Sequence, residues 1–166
     1  MQYGTAVEKF CNNAIHNLPR SPKSQVHLYE WGSNRYAANF AFICIQAYSA
    51  GLGNEDFLDF AKEQIGYILG DGGRSFVVGF GENYPTRPHH KASACPSPPT
   101  ACTWETFSAG GPNPHLLLGA LVGGPRKADD VYEDDRSDYI SNEVSLDYNA
   151  GFQGAVAGLF QIAFGL

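Results

Sequence analysis

The 166-residue sequence has few basic residues and no long apolar run. Eleven lysines and arginines stand against 17 aspartates and glutamates, which gives a formal net charge of −6. Nucleic acids and anionic membranes bind basic faces, so this balance argues against both as the principal partner. No apolar stretch approaches the roughly 18 residues that a membrane span requires. A positively charged and then apolar leader is also missing, so we expect no signal peptide within this segment.

The cysteine spacing lacks any Cys-x-x-Cys pair, which excludes the common zinc patterns. Cys11 and Cys44 lie in apolar helical segments, and this context predicts buried core thiols. Cys95 and Cys102 bracket a Pro-rich loop, in which a short-range disulfide is geometrically reasonable. A disulfide of this kind favours an oxidising compartment.

Two further segments fail as metal sites. His89 and His90 are adjacent and follow Pro88, so they cannot share one metal from a helix face. The acidic segment 129–149 lacks the alternate spacing and the central glycine of an EF-hand loop. By themselves both segments are also compatible with solvated surface loops. We therefore expect no metal site in this chain, and no redox or organic cofactor is implied.

Apolar periodicity predicts helices over residues 4–18, 31–52, 54–70 and 142–166. The 31–52 segment is apolar on nearly all sides, which is typical of a helix enclosed by a larger protein. Residues 71–141 are instead rich in Gly, Pro, Asn, Asp and aromatic side chains, and irregular stretches of this length are usually functional. The sequence therefore predicts an all-α fold with long irregular loops.

Aromatic and acidic residues are interleaved in the 129–149 segment. Tyr132, Tyr139 and Tyr148 alternate with carboxylates, and Glu143 stands at the start of the last apolar stretch. Aromatic rings can stack on pyranose faces, while carboxylates bind hydroxyl groups and transfer protons. This combination favours sugar recognition with a glutamate as general acid.

Several segments together resemble the family 9 glycoside hydrolases, which are mostly endo-β-1,4-glucanases. They are residues 31–39, 64–81, 85–90, 111–115, 119–125 and 134–143. The resemblance covers nearly the whole chain and is nearest to the animal, termite-like branch. Length alone fits one complete domain, whereas the resemblance implies that residues 1–166 are only the C-terminal portion of an (α/α)6 barrel, with long irregular active-site loops.

The resemblance also implies roles for individual residues. Glu143 matches the general acid, which protonates the departing glycosidic oxygen. Asp134 matches an aspartate of the same signature, and His89 matches a histidine that contacts the sugar near the cleavage point. These three residues are the predicted catalytic set.

The predicted substrate-binding residues are Trp31, Tyr36, Lys91, Arg136 and Tyr148. The two residues of the 31–39 segment are expected to be stacking aromatics of the cleft. The family has His-x-Arg where this chain has His89-His90-Lys91. A planar, two-pronged donor is thus replaced by a point charge, and we expect a weaker grip on the substrate there.

The base that an inverting glycosidase requires has no counterpart in this sequence. Inversion needs a second carboxylate at roughly 6.5–9.5 Å from the acid, so that it can activate water. The resemblance implies that this base is an aspartate of an Asp-Ala-Gly-Asp motif, and that motif does not occur here. The nearest string, at 70–73, belongs to a different family segment. We therefore expect the base in the missing N-terminal part and negligible activity from this chain alone.

The implied function is hydrolysis of internal β-1,4-glucosidic bonds in cellulose or soluble β-1,4-glucan. The expected enzyme is secreted, extracellular and monomeric in its full-length form. A non-catalytic carbohydrate-binding remnant, using Trp31, Tyr36, Tyr148 and His89, is the alternative. An Asp-Ala-Gly-Asp motif upstream of Met1 favours the enzyme, whereas a true start codon at Met1 favours the remnant. The specificity of the loop motifs disfavours a generic helical interaction domain.

Overall fold

The computed structural model describes residues 2–165, which form four long helices and three short ones. The long helices are α1 (Gln2–His16), α2 (Ser33–Ser49), α3 (Glu55–Leu69) and α7 (Leu146–Phe164). The short helices are α4 (Lys91–Ala94), α5 (Trp104–Ser108) and α6 (Tyr139–Asn142). Extended pairing within residues 2–165 is limited to four isolated bridges, so the all-α prediction is confirmed. No helix in this range is both long and apolar enough to cross a bilayer.

Local sequence signals set the ends of α3. The Asn54 side chain accepts a hydrogen bond from the Asp56 backbone N–H at 3.0 Å, and Glu55 adds negative charge to the first turn. Gly70 ends the helix with φ at 130°, a conformation that residues with a Cβ rarely adopt. These signals explain why the predicted 54–70 range nearly coincides with the observed one.

The 71–141 segment contains more regular structure than its composition suggests. The structure places α4 and α5 there, each little more than one turn long. Helices this short show no apolar periodicity, so sequence pattern alone could not reveal them. A capping box starts α5, in which Thr103 and Thr106 exchange side-chain and backbone hydrogen bonds.

The last long helix starts later than the predicted residue 142. The short helix α6 ends at Asn142, Glu143 has φ −58° and ψ 143°, and α7 begins only at Leu146. The extended backbone at 143–144 pairs with His89 and Val122 through isolated bridges. These long-range bonds replace intrahelical ones, and no pattern in the local sequence predicts them.

The helices α2 and α7 run in the same direction at close range. Three glycines of α7 face successive side chains of α2: Gly151 faces Asn39, Gly154 faces Phe42 and Gly158 faces Ile45. A Cβ at Gly158 would lie 2.6 Å from Cγ2 of Ile45, so the contact requires glycine. Because the two helices are parallel, both N-termini lie at the same end of the pair.

Two apolar clusters fill the interior. The larger one joins α2, α3 and α7 with the apolar segments 76–78 and 121–122. The smaller one packs α1 against α2 and α3. The central position of α2 between these clusters agrees with its apolar character on nearly all sides.

All four cysteines are paired in disulfides. The Cys95–Cys102 bridge confirms the prediction for the Pro-rich loop. The prediction of free core thiols at Cys11 and Cys44 was wrong, because these residues bond α1 to α2 with a Cα–Cα distance of 5.6 Å. Helical periodicity correctly indicates that both are buried, but it contains no information about which helix faces which.

We predict that Gly158→Val lowers the free energy of unfolding by about 1–3 kcal/mol, because the new side chain overlaps the fully buried Ile45. Ala157→Val places the same side chain at the next position, which is exposed, and serves as the control. Urea unfolding of both variants measures the difference. Equal midpoints for the two would contradict the close packing of α2 and α7.

Candidate active site

Two aromatic donors converge on one oxygen of Glu143. The Trp31 indole Nε1–H and the Tyr148 hydroxyl each donate to Oε2 at 2.7 Å. Trp31 immediately precedes Gly32, the residue before α2, while Tyr148 lies in the first turn of α7. Parallel packing of the two helices therefore brings both donors to the same carboxylate. Burial raises the pKa of Tyr148, and the hydrogen bond to Glu143 raises it further, so its hydroxyl stays protonated.

Gly32 leaves room for this arrangement. It has φ at 72°, and a Cβ there would lie 3.1 Å from the Tyr148 hydroxyl oxygen. A side chain at this position would be strained by its backbone and would press on the donor to Glu143. Glycine at this position therefore leaves the space that Tyr148 needs to hold the carboxylate.

The backbone around Glu143 is fixed by neighbouring loops. The Asn142 carbonyl accepts the His89 N–H at 2.7 Å, and the Glu143 carbonyl accepts the Gly123 N–H at 2.9 Å. Val144 pairs with Val122. Three segments far apart in sequence thus meet at the predicted acid.

His89 lies beside Glu143 and has a defined tautomer. Its Nδ1 is 2.6 Å from the Arg136 carbonyl oxygen, which can only accept a hydrogen bond. Nδ1 therefore carries a proton, and in the neutral ring Nε2 is left as an acceptor. The imidazole meets the rings of Tyr139 and Phe107 at centroid distances of 6.1 and 6.2 Å.

Asp134 is engaged by the loop that leads to His89. Its Oδ2 accepts hydrogen bonds from the Thr86 N–H and hydroxyl at 2.8 Å, and its Oδ1 accepts one from the Arg87 N–H at 3.0 Å. The structure does not bring Asp134 into hydrogen-bond contact with Glu143. Its geometry therefore points to holding residues 86–87, and through them His89.

Arg136 is also turned toward the protein. Its side chain is buried, and its guanidinium donates to four backbone carbonyls at 2.7–3.2 Å. The acceptors are Thr106, Phe107, Ala109 and Gly111. Burial lowers the pKa of Arg136, and the neighbouring Arg87 lowers it further. Arg136 thus fastens the end of α5 and the residues after it to the segment that holds Glu143.

Tyr36 lies near the site but contacts Glu143 only through intermediates. The Arg35 guanidinium donates to the Tyr36 hydroxyl at 2.8 Å and forms an ion pair with Asp147 at 2.8 Å. It also lies 5.1 Å from the centre of the Tyr148 ring. A hydrogen bond from Ser145 and the pairing with Arg35 lower the pKa of Asp147. Arg35 thus connects the predicted stacking residue Tyr36 to the donor Tyr148.

Lys91 lies at the start of α4, beside a cavity of about 480 Å³. The same cavity is lined by His89 and by the aromatic side chains Trp104 and Phe107. The lysine is exposed, so its ammonium is available to a ligand. Of the five predicted binding residues, Trp31 and Tyr148 therefore hold Glu143, and Tyr36 contacts Arg35. The other two, Lys91 and Arg136, line the cavity.

Sequence reasoning missed several amides that support the site. Asn142 accepts a hydrogen bond from the Tyr132 hydroxyl and donates to the Glu133 carbonyl at 2.9 Å. Asn34 and Asn149 bind backbone groups of the 119–125 segment. Asn34 and Asn142 lie within the motifs of the resemblance and Asn149 follows the last of them, but their contacts are visible only in the fold. Within residues 2–165 no group of three or more His, Cys, Asp or Glu side chains could hold a metal ion.

The family model described as glycosyl hydrolase family 9 matches residues 1–156. The chain belongs to glycosyl hydrolase family 9. Endoglucanase from the termite Nasutitermes takasagoensis superposes with a TM-score of 0.92 at 52% identity, over 99% of this chain and 37% of that structure. The predicted resemblance to the termite-like branch and the predicted partial (α/α)6 barrel are thereby confirmed.

Curated relatives are also named endoglucanases. Endoglucanase B of Cellulomonas fimi is 42% identical over 87% of this chain, and endoglucanase A of Bacillus pumilus is 41% identical over 91%. The chain spans 14% and 23% of the lengths of these two proteins. A solved structure of endoglucanase CelQ from Clostridium thermocellum, complexed with cellobiose and cellotriose, matches with a TM-score of 0.75 at 40% identity. That match covers 89% of this chain and 24% of CelQ.

We predict that Asp134→Asn destabilises the chain by about 1–3 kcal/mol, because an amide N–H₂ would face donors that now bind a carboxylate. Amide hydrogen exchange at Thr86 and Arg87 should accelerate in the same variant. Glu133→Gln changes an exposed neighbouring carboxylate in the same way and is the control. If both variants exchange and unfold alike, Asp134 does not hold this loop.

Proposed function

We propose that this chain is the acid-bearing C-terminal portion of a secreted endo-β-1,4-glucanase, with Glu143 as the general acid. The observation that carries the proposal is the asymmetric hydrogen bonding of the Glu143 carboxyl group. Oε2 accepts from both Trp31 and Tyr148. Among the hydrogen bonds of residues 2–165, none involves Oε1. Oε1 is therefore the oxygen from which a carboxyl proton can be donated to a substrate.

The proposed step transfers this proton from Glu143 to the glycosidic oxygen as the bond to the anomeric carbon breaks. A water molecule attacks that carbon from the opposite face and inverts its configuration. Its proton passes to a base aspartate that the N-terminal part of the barrel supplies. His89 lies beside the acid with Nε2 as an acceptor, which suits a sugar hydroxyl near the cleavage point.

Cellulose or soluble β-1,4-glucan is the proposed substrate. The family membership and the endoglucanase relatives support this choice. Trp31 is partly exposed, so its ring can contact a sugar while its N–H holds Glu143. The two disulfides are consistent with an extracellular location.

We predict that Glu143→Gln lowers kcat by about 10²–10⁴-fold in the longer protein that contains this chain, because the amide cannot donate the carboxyl proton. Binding of cello-oligosaccharides should persist. Tyr148→Phe removes one of two donors and should cost only about 3–10-fold. Release of reducing sugar from soluble cellulose measures both, with Glu133→Gln as the control. Unchanged turnover by Glu143→Gln would refute the assignment of the acid.

We also predict that purified residues 1–166 release no reducing sugar from soluble cellulose, since the base is missing. Addition of the N-terminal part as a separate chain should restore hydrolysis. Measurable hydrolysis by residues 1–166 alone would show that the base lies within this chain. A parent sequence without the Asp-Ala-Gly-Asp motif, combined with glucan binding, would instead support the carbohydrate-binding remnant.

A further inference from the structure

Trp104 is 82% exposed, and the proposed catalytic step does not use it. It begins α5 and meets the Phe107 ring edge-on, with 5.8 Å between centroids. Single exposed apolar residues are common on protein surfaces, so exposure alone indicates little. Three further features support a role for this ring in binding. They are the constrained segment that carries it, the cavity beside it and the row of rings that connects it to Glu143.

The segment that carries Trp104 is fixed from three sides. The Cys95–Cys102 disulfide closes the loop just before it, and the Thr103–Thr106 capping box starts its helix. The buried Arg136 guanidinium then holds the carbonyls that follow. Binding sites gain affinity when their contact groups are held in place before the ligand arrives. Because its segment is constrained in this way, the exposed Trp104 ring is already in place before a ligand binds.

The cavity beside Trp104 has the size and lining of a small-ligand site. Its volume of about 480 Å³ lies within the range of roughly 300–1,000 Å³ that is usual for such sites. Aromatic walls come from Trp104 and Phe107, and polar groups come from His89, His90, Lys91 and Thr103. A pyranose ring has apolar faces and a rim of hydroxyl groups, so both kinds of wall match it.

A row of rings connects this cavity to the predicted acid. Centroid distances are 6.2 Å from Phe107 to His89, 6.1 Å from His89 to Tyr139 and 5.3 Å from Tyr139 to Trp31. Trp31 in turn donates to Glu143. A polymer of sugars that lies on Glu143 can therefore follow aromatic surface toward Trp104.

We propose that the Trp104 cavity is a further glucosyl-binding position, in which Trp104 stacks on a sugar ring and Lys91 donates to its hydroxyls. The proposal rests on the proposed function, because it requires a β-1,4-glucan as the ligand. It adds a residue that sequence reasoning did not select. In this proposal the Cys95–Cys102 disulfide holds the wall of the cavity that Trp104 forms.

The sequence supplies an unusually direct test, because Trp31 and Trp104 are its only two tryptophans. In the 166-residue chain, Trp31→Phe leaves an emission spectrum that reports on the cavity, and Trp104→Phe leaves one that reports on Glu143. We expect cellotetraose to change the emission of both single-tryptophan variants. Maltotetraose, with α-linkages, should change neither. Near-ultraviolet circular dichroism checks that each variant is folded.

The outcomes separate this proposal from the proposed function. A response from Trp31 alone overturns the cavity site and leaves the glucanase assignment intact. No response from either folded variant overturns both. A response from both supports both.

A kinetic measurement on the longer protein tests the same site independently of how the short chain folds. Trp104→Ala should raise KM for soluble cellulose on the order of tenfold, the loss of about one well-packed ring contact, with kcat changed far less. Glu105→Gln alters the next, exposed side chain of α5 and should change neither constant. Equal KM for the two variants, or a Trp104 shielded from acrylamide quenching in the longer protein, overturns the proposal.

Discussion

The hydrogen bond from the His89 N–H to the Asn142 carbonyl, 2.7 Å long, joins the two loops on which the site is built. It is possible only because the chain leaves the helical conformation at Glu143. A continuous helix from 139 onward would have used that carbonyl internally. The interruption costs intrahelical bonds, and contacts to His89, Gly123 and Val122 replace them. The predicted acid is thus held by its backbone as well as by its side chain.

Much of the fold could be predicted from the sequence because its helices follow simple rules. Apolar spacing located α1, α2 and α3 to within a few residues, and Asn54 and Gly70 marked the ends of α3. The break at Glu143 and the Cys11–Cys44 bridge were not predicted. Both depend on which segments meet in space, and periodicity within one segment cannot encode that.

The site shows the same division. Glu143, Trp31, Tyr148 and His89 were selected by their motifs, and the structure brings them together. Asp134 and Arg136 belong to the same signature, yet their polar atoms bind loop backbone. A motif records that a residue type is needed, and it does not distinguish contact with a ligand from support of the chain. Charged side chains with several backbone partners serve here mainly as loop anchors.

The glycines of α7 have a consequence for the chemistry at the far end of the helix pair. Trp31 precedes α2 and Tyr148 belongs to α7, so the separation of the two helix axes sets the spacing of the two donors at Glu143. That separation depends on Gly151, Gly154 and Gly158, which have no side chains and therefore let the two helices approach closely. Residues far from Glu143 therefore affect the position of the predicted acid. Added bulk deep in the helix interface would change the geometry of proton donation without touching any residue of the site.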